Sequence, residues 1–384
     1  MTARGFYTLF FGVLMLVTSL SVGSAGAFLL GCAALAAVLL SLIAALFAFF
    51  SMRLTQTVDV HDVARGEKCL YTLTVRCLSP LPVAPVSLRV CLPSGRQSEF
   101  LLKTRLFGDT VSENAFPCPH VGAHPVGVTH VRVMDCFSFF SLSRAVRAPL
   151  SCVTVLPRPI PTEPLTFSPG EGEASAIERA QADPTTPTDT RPWQDGDELK
   201  RVHWKLSMRR QALIVHTYEQ NQRPDALVLL DFAQPDAPEN RRALAVDLLT
   251  EACAGVIKAL LDAGHAVRMP LSGADAHEAS GLGSEALPGM LRALATQPFT
   301  GPSEFSRALA LSSRRMHRTG STAILTTRLT ARIADDVIAL SKMGPHTYFT
   351  LVCAGEATAE QQTLLRLLPS SGVEARLVSP SAEI

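Results

Sequence analysis

The feature that most constrains this chain is a long stretch near its N-terminus without Asp, Glu, Lys, Arg or His. Arg4 is charged, and the next Asp, Glu, Lys, Arg or His along the chain is Arg53. A transmembrane helix needs roughly 20 apolar residues, so the stretch is too long for one span and long enough for two. Two paired helices also satisfy their own backbone hydrogen bonds, which lipid requires. The stretch predicts a transmembrane helical hairpin within residues 1–53, with spans at about 6–22 and 27–50.

The charges that flank this stretch predict its orientation. Arg4 and Arg53 lie just outside the two spans, and the positive-inside rule places both in the cytoplasm. We therefore expect a multi-pass protein of the cell (inner) membrane with a cytoplasmic body. The alternative for the first span is a cleaved signal peptide, because Ser24, Ala25 and Ala27 loosely fit a cleavage site. The second span would remain in either case.

Composition limits the classes of function that the body can have. The chain has 384 residues and a formal net charge of +1, so nucleic acid is not an expected partner. About 330 residues remain beyond the hairpin, enough for two domains. The nine cysteines form no C-x-x-C pair, which argues against a zinc site, and their odd number in a cytosolic body indicates reduced thiols. The sequence contains no phosphate-binding loop, dinucleotide fingerprint or nucleophile elbow, so we expect no cofactor.

The segment 54–156 carries the signal of strands. Apolar and polar residues alternate in Leu70–Val75, Val86–Leu92 and Val126–Val133, with Pro and Gly between these runs. The pattern predicts a β-sandwich-like domain. Residues 157–190 contain many prolines and few apolar residues, which predicts a linker or an irregular strap.

The segment 191–220 is the most informative motif, because it is basic and holds both tryptophans of the chain. Gly196 lies in an Asp-Gly-Asp turn and can adopt a positive φ. Asp197 can cap a helical turn over Leu199–Arg209, and a strand follows at Ala212–Tyr218. The candidate residues of this binding or junction motif are Arg191, Trp193, Gly196, Asp197, Arg201, His203, Trp204 and Arg209.

Two interpretations of this motif stay open. In the structural one, the tryptophan rings fill a domain junction and the arginines pair with Asp195 and Asp197. In the functional one, the basic and aromatic face binds an acidic partner or a phosphate. A catalytic pair of His203 with either aspartate is permitted by the spacing, but no residue nearby supplies a nucleophile. We therefore assign no catalytic residue.

The motif also carries a family resemblance. It reads R-x-W-Q-x-G-D-x-x-x-R-x-H-W-x-x-S-x-R and resembles the signature of the domain-of-unknown-function 58 family. That family more often has Tyr at the position of Trp193 and Ala at the position of Met208. The resemblance extends over the order of the whole chain. It implies a membrane-anchored protein with a von Willebrand factor A-like domain, associated with MoxR-type AAA+ ATPases, in a family without an established activity.

The segment 221–384 alternates strands and helices. Ala226–Asp231 reads as a buried strand, and Asn240–Asp262 as an amphipathic helix that ends near Gly264. Further strand and helix signals follow in turn, including a helix at Phe305–Met316. The alternation predicts a doubly wound α/β domain with a mostly parallel sheet, which the resemblance implies to be von Willebrand factor A-like.

The resemblance also implies a position for a metal ion. The metal site of that fold needs Asp-x-Ser-x-Ser after the first strand, with a later Thr and Asp as further oxygen ligands. Here Asp231 is retained, but Ala233 and Pro235 replace the hydroxyls, and residues 326–328 (Thr-Thr-Arg) supply no acid. We expect this degenerate metal site to bind no metal. Asp231 is then free to cap the following helix or to pair with an arginine.

These patterns favour a non-enzymatic scaffold or adaptor of the membrane. The hairpin would anchor the chain, the β-sandwich would space it, and the α/β domain would bind a protein, of the MoxR-type AAA+ class according to the resemblance. The alternative is a membrane-bound hydrolase, or a phosphate- or lipid-binding protein, that uses the basic Trp/His motif at 191–210.

Overall fold

The computed structural model describes residues 1–77, 85–105, 108–147, 149–162, 189–194, 202–217, 225–271, 277–300, 305–306, 308–309, 319–343 and 346–380. The chain divides into two compact units, Met1–Leu156 and Pro157–Ile384. The first unit holds two helices and the strand-rich segment, which we call the β domain. The second unit holds the α/β domain.

Two N-terminal helices form a hairpin. Helix α1 covers Ala3–Val22 and helix α2 covers Ala25–Ser51, and each is long and apolar enough to cross a membrane. The turn needs only two residues, because Gly23 adopts a left-handed conformation and the Ser24 hydroxyl accepts a hydrogen bond at the start of α2. Most of the surface of both helices is not covered by protein, which is compatible with membrane anchoring.

Small residues allow α1 and α2 to pack closely. A Cβ atom added to Gly31 would lie 3.0 Å from the carbonyl oxygen of Gly12 and 2.9 Å from Leu16 Cγ. Such close approach of backbones is typical of paired helices in membranes, where packing replaces the hydrophobic effect as the attractive force.

The β domain consists of two sheets around one core. Strands β1, β3 and β6 form an antiparallel sheet, and the second sheet has the order β2-β9-β7-β4-β5 with β8 beside β7. Tyr71 and Val75 from the first sheet share a buried cluster with Leu88, Val128 and Val153 from the second. The strands are β1 (Arg53–Val58), β2 (Asp62–Ala64), β3 (Lys68–Cys77), β4 (Val86–Cys91), β5 (Gln97–Leu102), β6 (Gly108–Pro117), β7 (Gly122–Met134), β8 (Ser141–Ala145) and β9 (Ser151–Leu156). The prediction of a strand-rich segment after the helices is confirmed.

The second unit contains a hairpin with a short helix and then a large sheet. Its elements are β10 (Asp189–Pro192), α3 (Trp204–Arg210), β11 (Ile214–Thr217), β12 (Asp225–Leu230), α4 (Glu239–Asp262), β13 (Val267–Pro270), β14 (Glu278–Gly281), α5 (Leu287–Ala295), β15 (Thr319–Thr326), α6 (Ala331–Ser341), β16 (His346–Val352), α7 (Ala359–Leu367) and β17 (Val373–Val378). The predicted alternation of strands and helices is confirmed.

The large sheet has the order β14-β13-β12-β15-β16-β17. All its pairs are parallel except β13 with β14. Along β12, Val228 and Leu230 face a cluster that includes α4 and α5, whereas Leu227 and Leu229 face a cluster that includes α6. Helices therefore cover both faces, which buries the parallel strands on both sides.

One observed strand was not predicted, and two predicted segments lie largely outside the described residues. The antiparallel edge strand β14 was not predicted, because it has only four residues and none of them is a large apolar residue. The helix predicted at Phe305–Met316 lies mostly outside the described residues. Of the predicted linker, residues 163–188 lie outside them too, while Ile160 donates a backbone hydrogen bond of 3.3 Å to the Glu251 carbonyl of α4.

Candidate functional site

A buried carboxylate lies at the carboxyl end of β12. Asp231 is buried, and its Oδ1 accepts a hydrogen bond of 3.0 Å from the backbone N–H of Ala233. Its Oδ2 accepts a hydrogen bond of 2.8 Å from the hydroxyl of Thr326, the last residue of β15. The two strands are neighbours and parallel, so their carboxyl ends meet at one edge of the sheet. We call this edge the carboxyl edge.

A cation of the chain itself completes this cluster. Nη2 of Arg328 lies 3.8 Å from Oδ2 of Asp231, and the Arg328 side chain is 21 % exposed. The backbone N–H of Arg328 donates a hydrogen bond of 3.0 Å to the Thr326 hydroxyl, which positions the turn after β15. Within the described part of the chain, Nε and Nη2 of Arg328 have no hydrogen-bond partner. Asp231, Thr326 and Arg328 are called the edge cluster below.

The edge cluster resolves the two sequence predictions for Asp231. Pairing with an arginine is confirmed, since Arg328 lies beside the carboxylate. Capping of the following helix is wrong, because α4 begins after Pro238 and has no side-chain cap. Both oxygens of Asp231 instead accept hydrogen bonds from other groups, which satisfies the buried charge locally. The Thr326 hydroxyl and the Arg328 guanidinium thus both lie beside the carboxylate that a hard cation would need as a ligand.

Exposed polar residues surround the edge cluster. Gln234 and Asp236 are exposed in the loop after β12, and Glu356 is exposed in the loop after β16. Nη1 of Arg241, in the first turn of α4, lies 3.1 Å from where a Cβ atom on Gly355 would be. The carboxyl edge is therefore a mixed-charge surface over a buried ion pair. Sequence reasoning missed Arg241 and Glu356, since only the fold brings their loops together.

The signature motif is held by strand β11 on two sides. Strand β10 pairs with β11 in antiparallel register, so that Arg191 lies opposite Val215. Beyond β10, the N–H of Trp193 donates a hydrogen bond of 2.8 Å to the Leu213 carbonyl. On the other edge, the N–H of His203 donates one of 2.8 Å to the Ile214 carbonyl. The beginning and end of the motif are thus brought together by backbone hydrogen bonds.

Helix α3 begins later than the sequence predicts. His203 is the residue before its first turn, and Nδ1 of His203 accepts a hydrogen bond of 3.2 Å from the N–H of Leu206. Val202 forms a bridge with Val215 and is extended, so the predicted helix over Leu199–Arg209 is wrong at this position. Inside α3, the buried Ser207 hydroxyl accepts a hydrogen bond of 2.9 Å from the Ile214 N–H.

The structure describes only part of the motif. Gly196, Asp197 and Arg201 lie outside the described residues, as does the side chain of Arg191. Trp204 is 59 % exposed, and Arg209 is also exposed. A basic and aromatic surface is therefore present on α3, and both interpretations of the motif remain predictions.

Comparison with known structures gives weak similarity. The CARDB domain of the PF1109 protein from Pyrococcus furiosus is 13 % identical, over 27 % of this chain and 87 % of that one, with a TM-score of 0.21. Cwp6 from Clostridium difficile is 11 % identical, over 85 % of this chain and 49 % of that one, with a TM-score of 0.21. These TM-scores are too low to transfer an overall fold. No curated protein matches the chain.

The sequence model of one family does match. It is described as "Protein of unknown function DUF58" and covers residues 189–347. This segment runs from the start of β10 into β16, so it contains both the signature motif and the edge cluster. The family resemblance of the motif is thereby confirmed, since residues 189–347 of the chain match the model of the DUF58 family of unknown function.

Proposed function

We propose that this protein is a membrane-anchored scaffold or adaptor that binds a protein partner at the carboxyl edge. In this proposal the helical hairpin spans the membrane, the β domain is a sandwich-like spacer, and the α/β domain is a metal-free variant of the von Willebrand factor A-like fold. The body lies in the cytoplasm, because Arg4 and Arg53 flank the hairpin on the same side.

The observation that carries the proposal is the edge cluster. In an open α/β sheet, ligands bind outside the carboxyl ends of the strands, which is where the cluster lies. Asp231 is already engaged by Thr326, Ala233 and Arg328, so its carboxylate serves to hold two loops of this edge in place. A rigid edge with exposed Gln234 and Glu356 above it suits the recognition of a protein surface.

The class of partner rests on the family resemblance alone. We expect a MoxR-type AAA+ ATPase, which would act on a membrane assembly through this scaffold. The rival proposal, a hydrolase or a phosphate-binding protein that uses the motif at 191–210, is weakened by the role of His203. Its Nδ1 already accepts a hydrogen bond at the start of α3, which is a structural use of that nitrogen.

The test is a crosslinking capture from native membranes. A tagged full-length chain is captured with and without a non-hydrolysable ATP analogue, and its partners are identified by mass spectrometry. The edge variant combines Gln234→Arg with Glu356→Arg, which adds positive charge and bulk at exposed positions of the carboxyl edge. The control is Met343→Arg, which makes the same kind of change at a residue that is 54 % exposed in the turn before β16. That turn lies at the opposite, amino edge of the sheet.

Nucleotide-dependent recovery of an AAA+ ATPase with the wild type and with Met343→Arg, but not with the edge variant, supports the proposal. Equal recovery with all three chains places the contact elsewhere and contradicts it. Recovery of no partner also contradicts it, and the rival is then tested by binding of inorganic phosphate at increasing salt, since binding to exposed arginines weakens steeply with ionic strength.

A further inference from the structure

One face of α2 is apolar and exposed up to the last turn of the helix. Exposed residues recur at intervals of three and four, which places them on one stripe: Leu40, Ile43, Phe47 and Phe50. The opposite stripe is buried and consists of Val38, Ser41, Ala45, Ala48 and Met52. The buried stripe ends in the core of the β domain, to which Ala48 and Met52 belong.

The two helices of the hairpin differ in length. Helix α1 has 20 residues and α2 has 27, so they are about 30 Å and 40 Å long at 1.5 Å per residue. The hydrocarbon core of a bilayer is about 30 Å thick, and about 40–45 Å with the headgroup layers. A two-residue turn joins the helices, so the end of α1 and the start of α2 lie side by side. At the other end of the hairpin, the last two turns of α2 extend beyond the start of α1. If α1 crosses the hydrocarbon core, these turns reach through the headgroup layer.

A loop of the β domain occupies the space that the shorter helix leaves. The loop covers residues 135–140, between β7 and β8, and is called the interfacial loop. The N–H of Thr2, just before α1, donates a hydrogen bond of 2.8 Å to the Phe139 carbonyl, and the Thr2 hydroxyl donates one of 2.5 Å to the Ser138 carbonyl. On the other side, the Ser41 hydroxyl of α2 donates a hydrogen bond to Asp135. The loop therefore lies level with the first turn of α1.

Exposed aromatic side chains lie on this loop and at the end of α2. Phe137 is 54 % exposed and stacks on Phe139, with 5.5 Å between ring centroids, and Phe50 on α2 is 76 % exposed. A helix without a polar face is stable only when apolar material covers it. The first charged residues beyond the apolar surface, Arg4 and Arg53, are exposed, as expected for side chains that reach lipid headgroups.

We propose that the interfacial loop and the last two turns of α2 are immersed in the lipid headgroup layer, so that the base of the β domain itself binds the bilayer. Lipid is the expected occupant, because the exposed stripe runs without a polar break along the candidate membrane span to Phe50. This inference rests on the proposed membrane anchoring of the hairpin and adds a second contact with the same bilayer.

The test uses a photoreactive amino acid, p-benzoylphenylalanine, placed singly at four exposed positions of the full-length chain in native membranes. Position 137 probes the interfacial loop, and position 47 follows the exposed stripe of α2, which the anchor alone also places at the bilayer. Position 10, where Phe10 is 58 % exposed in the middle part of α1, reports membrane insertion of the hairpin. Position 101, where Leu101 is 72 % exposed on β5, is the matched control outside the membrane. Lipid adducts are identified by mass spectrometry of the labelled peptides.

Lipid adducts at 10, 47 and 137, with none at 101, support the inference. Adducts at 10 without an adduct at 137 overturn it while leaving the anchor intact, whether or not position 47 is labelled. A crosslinked dimer in place of lipid adducts at 47 and 137 also overturns it, because a second copy of the chain would then cover the stripe. Absence of lipid adducts at position 10 overturns both the anchor and the inference that rests on it.

Discussion

The Ser41 hydroxyl of α2 donates a hydrogen bond to the buried carboxylate of Asp135, which joins the helical hairpin to the β domain. The same carboxylate accepts hydrogen bonds from the backbone N–H groups of Phe137, at 3.1 Å, and Phe140, at 2.6 Å. One side chain thus shapes the interfacial loop and attaches it to a helix 94 positions earlier in the sequence.

Removing the Ser41 hydroxyl should loosen this junction. We expect Ser41→Ala to lower the free energy of unfolding by about 1–3 kcal/mol, because a buried charged acceptor loses a donor. The control is Ser21→Ala, whose exposed hydroxyl bonds only to the Val17 carbonyl of its own helix. Unfolding midpoints of the full chain in detergent measure the effect. Equal midpoints for the two variants would show that Asp135 does not depend on Ser41.

The junction should also depend on pH. Burial by itself raises the pKa of Asp135, but hydrogen bonds from Ser41 and from the amides of Phe140, Phe139 and Phe137 outweigh it and lower the pKa below its ordinary value. The charged form is therefore favoured in the folded state. This stabilisation is present above the unfolded pKa of about 3.9 and is lost as the pH falls through the folded pKa.

The pH dependence is checked with Asp135→Asn, which keeps the shape of the side chain and removes its charge. We expect the wild type to exceed this variant in unfolding midpoint at pH 7, and the difference to shrink as the pH falls below about 4. A difference that stays constant between pH 7 and pH 3 would contradict the role of the charge.

The contact between α1 and the interfacial loop requires a glycine. A Cβ atom on Gly5 would lie 2.6 Å from the carbonyl oxygen of Phe139, so Gly5→Ala must displace backbone. At Gly26, in the first turn of α2, the nearest atom to an added Cβ is at 3.9 Å. We expect Gly5→Ala to lower the unfolding midpoint and to speed hydrogen exchange at the Thr2 amide. Gly26→Ala should leave the midpoint unchanged or raise it, because the higher helix propensity of Ala can add up to about 1 kcal/mol to the free energy of unfolding. If the two alanines behave alike, the close approach at Gly5 is not a constraint.

Two threonines of β15 offer a matched test of the edge cluster. Both are fully buried, but the Thr326 hydroxyl donates to Asp231 at 2.8 Å, whereas the Thr322 hydroxyl has no hydrogen-bond partner among the described residues. Thr326→Val should destabilise by about 1.5–3 kcal/mol, because a hydrogen bond to a charged group is lost. Thr322→Val should be neutral or stabilising, since it replaces an unsatisfied hydroxyl with a methyl group. Unfolding of the two variants by denaturant, compared side by side, measures the difference. Equal destabilisation would show that Thr326 acts only by its shape.

Local patterns account for the elements that the sequence predicts. The charge-free stretch between Arg4 and Arg53 indicates two helices, and runs of period two or of period 3.6 indicate the strands and helices of the two domains. Asp231 was a candidate because the family resemblance implies a metal site, degenerate here, after the first strand of the α/β domain. Pairing of that carboxylate with an arginine was one of two expectations, since a buried charge needs a partner.

Contacts between distant segments account for the rest. Nothing near Ser41 in the sequence indicates that Asp135 is its partner, and nothing near Asp231 selects Arg328 from the many arginines of the chain. The start of α3 was predicted wrongly because Asp197 is a common capping residue, whereas the cap is His203, an unusual choice. Strand pairing of Val202 with Val215 prevails over the helical propensity around it.

The passage from α2 to β1 contains only Met52. This residue is buried in the core of the β domain, and its carbonyl accepts a hydrogen bond of 2.8 Å from Nη2 of Arg144, whose guanidinium carbon lies 5.2 Å from the centre of the Phe49 ring. No flexible linker separates α2 from the β domain. The β domain therefore cannot turn freely about the helix axis, and a torque applied to it is transmitted to the helix hairpin instead of being absorbed by a flexible tether.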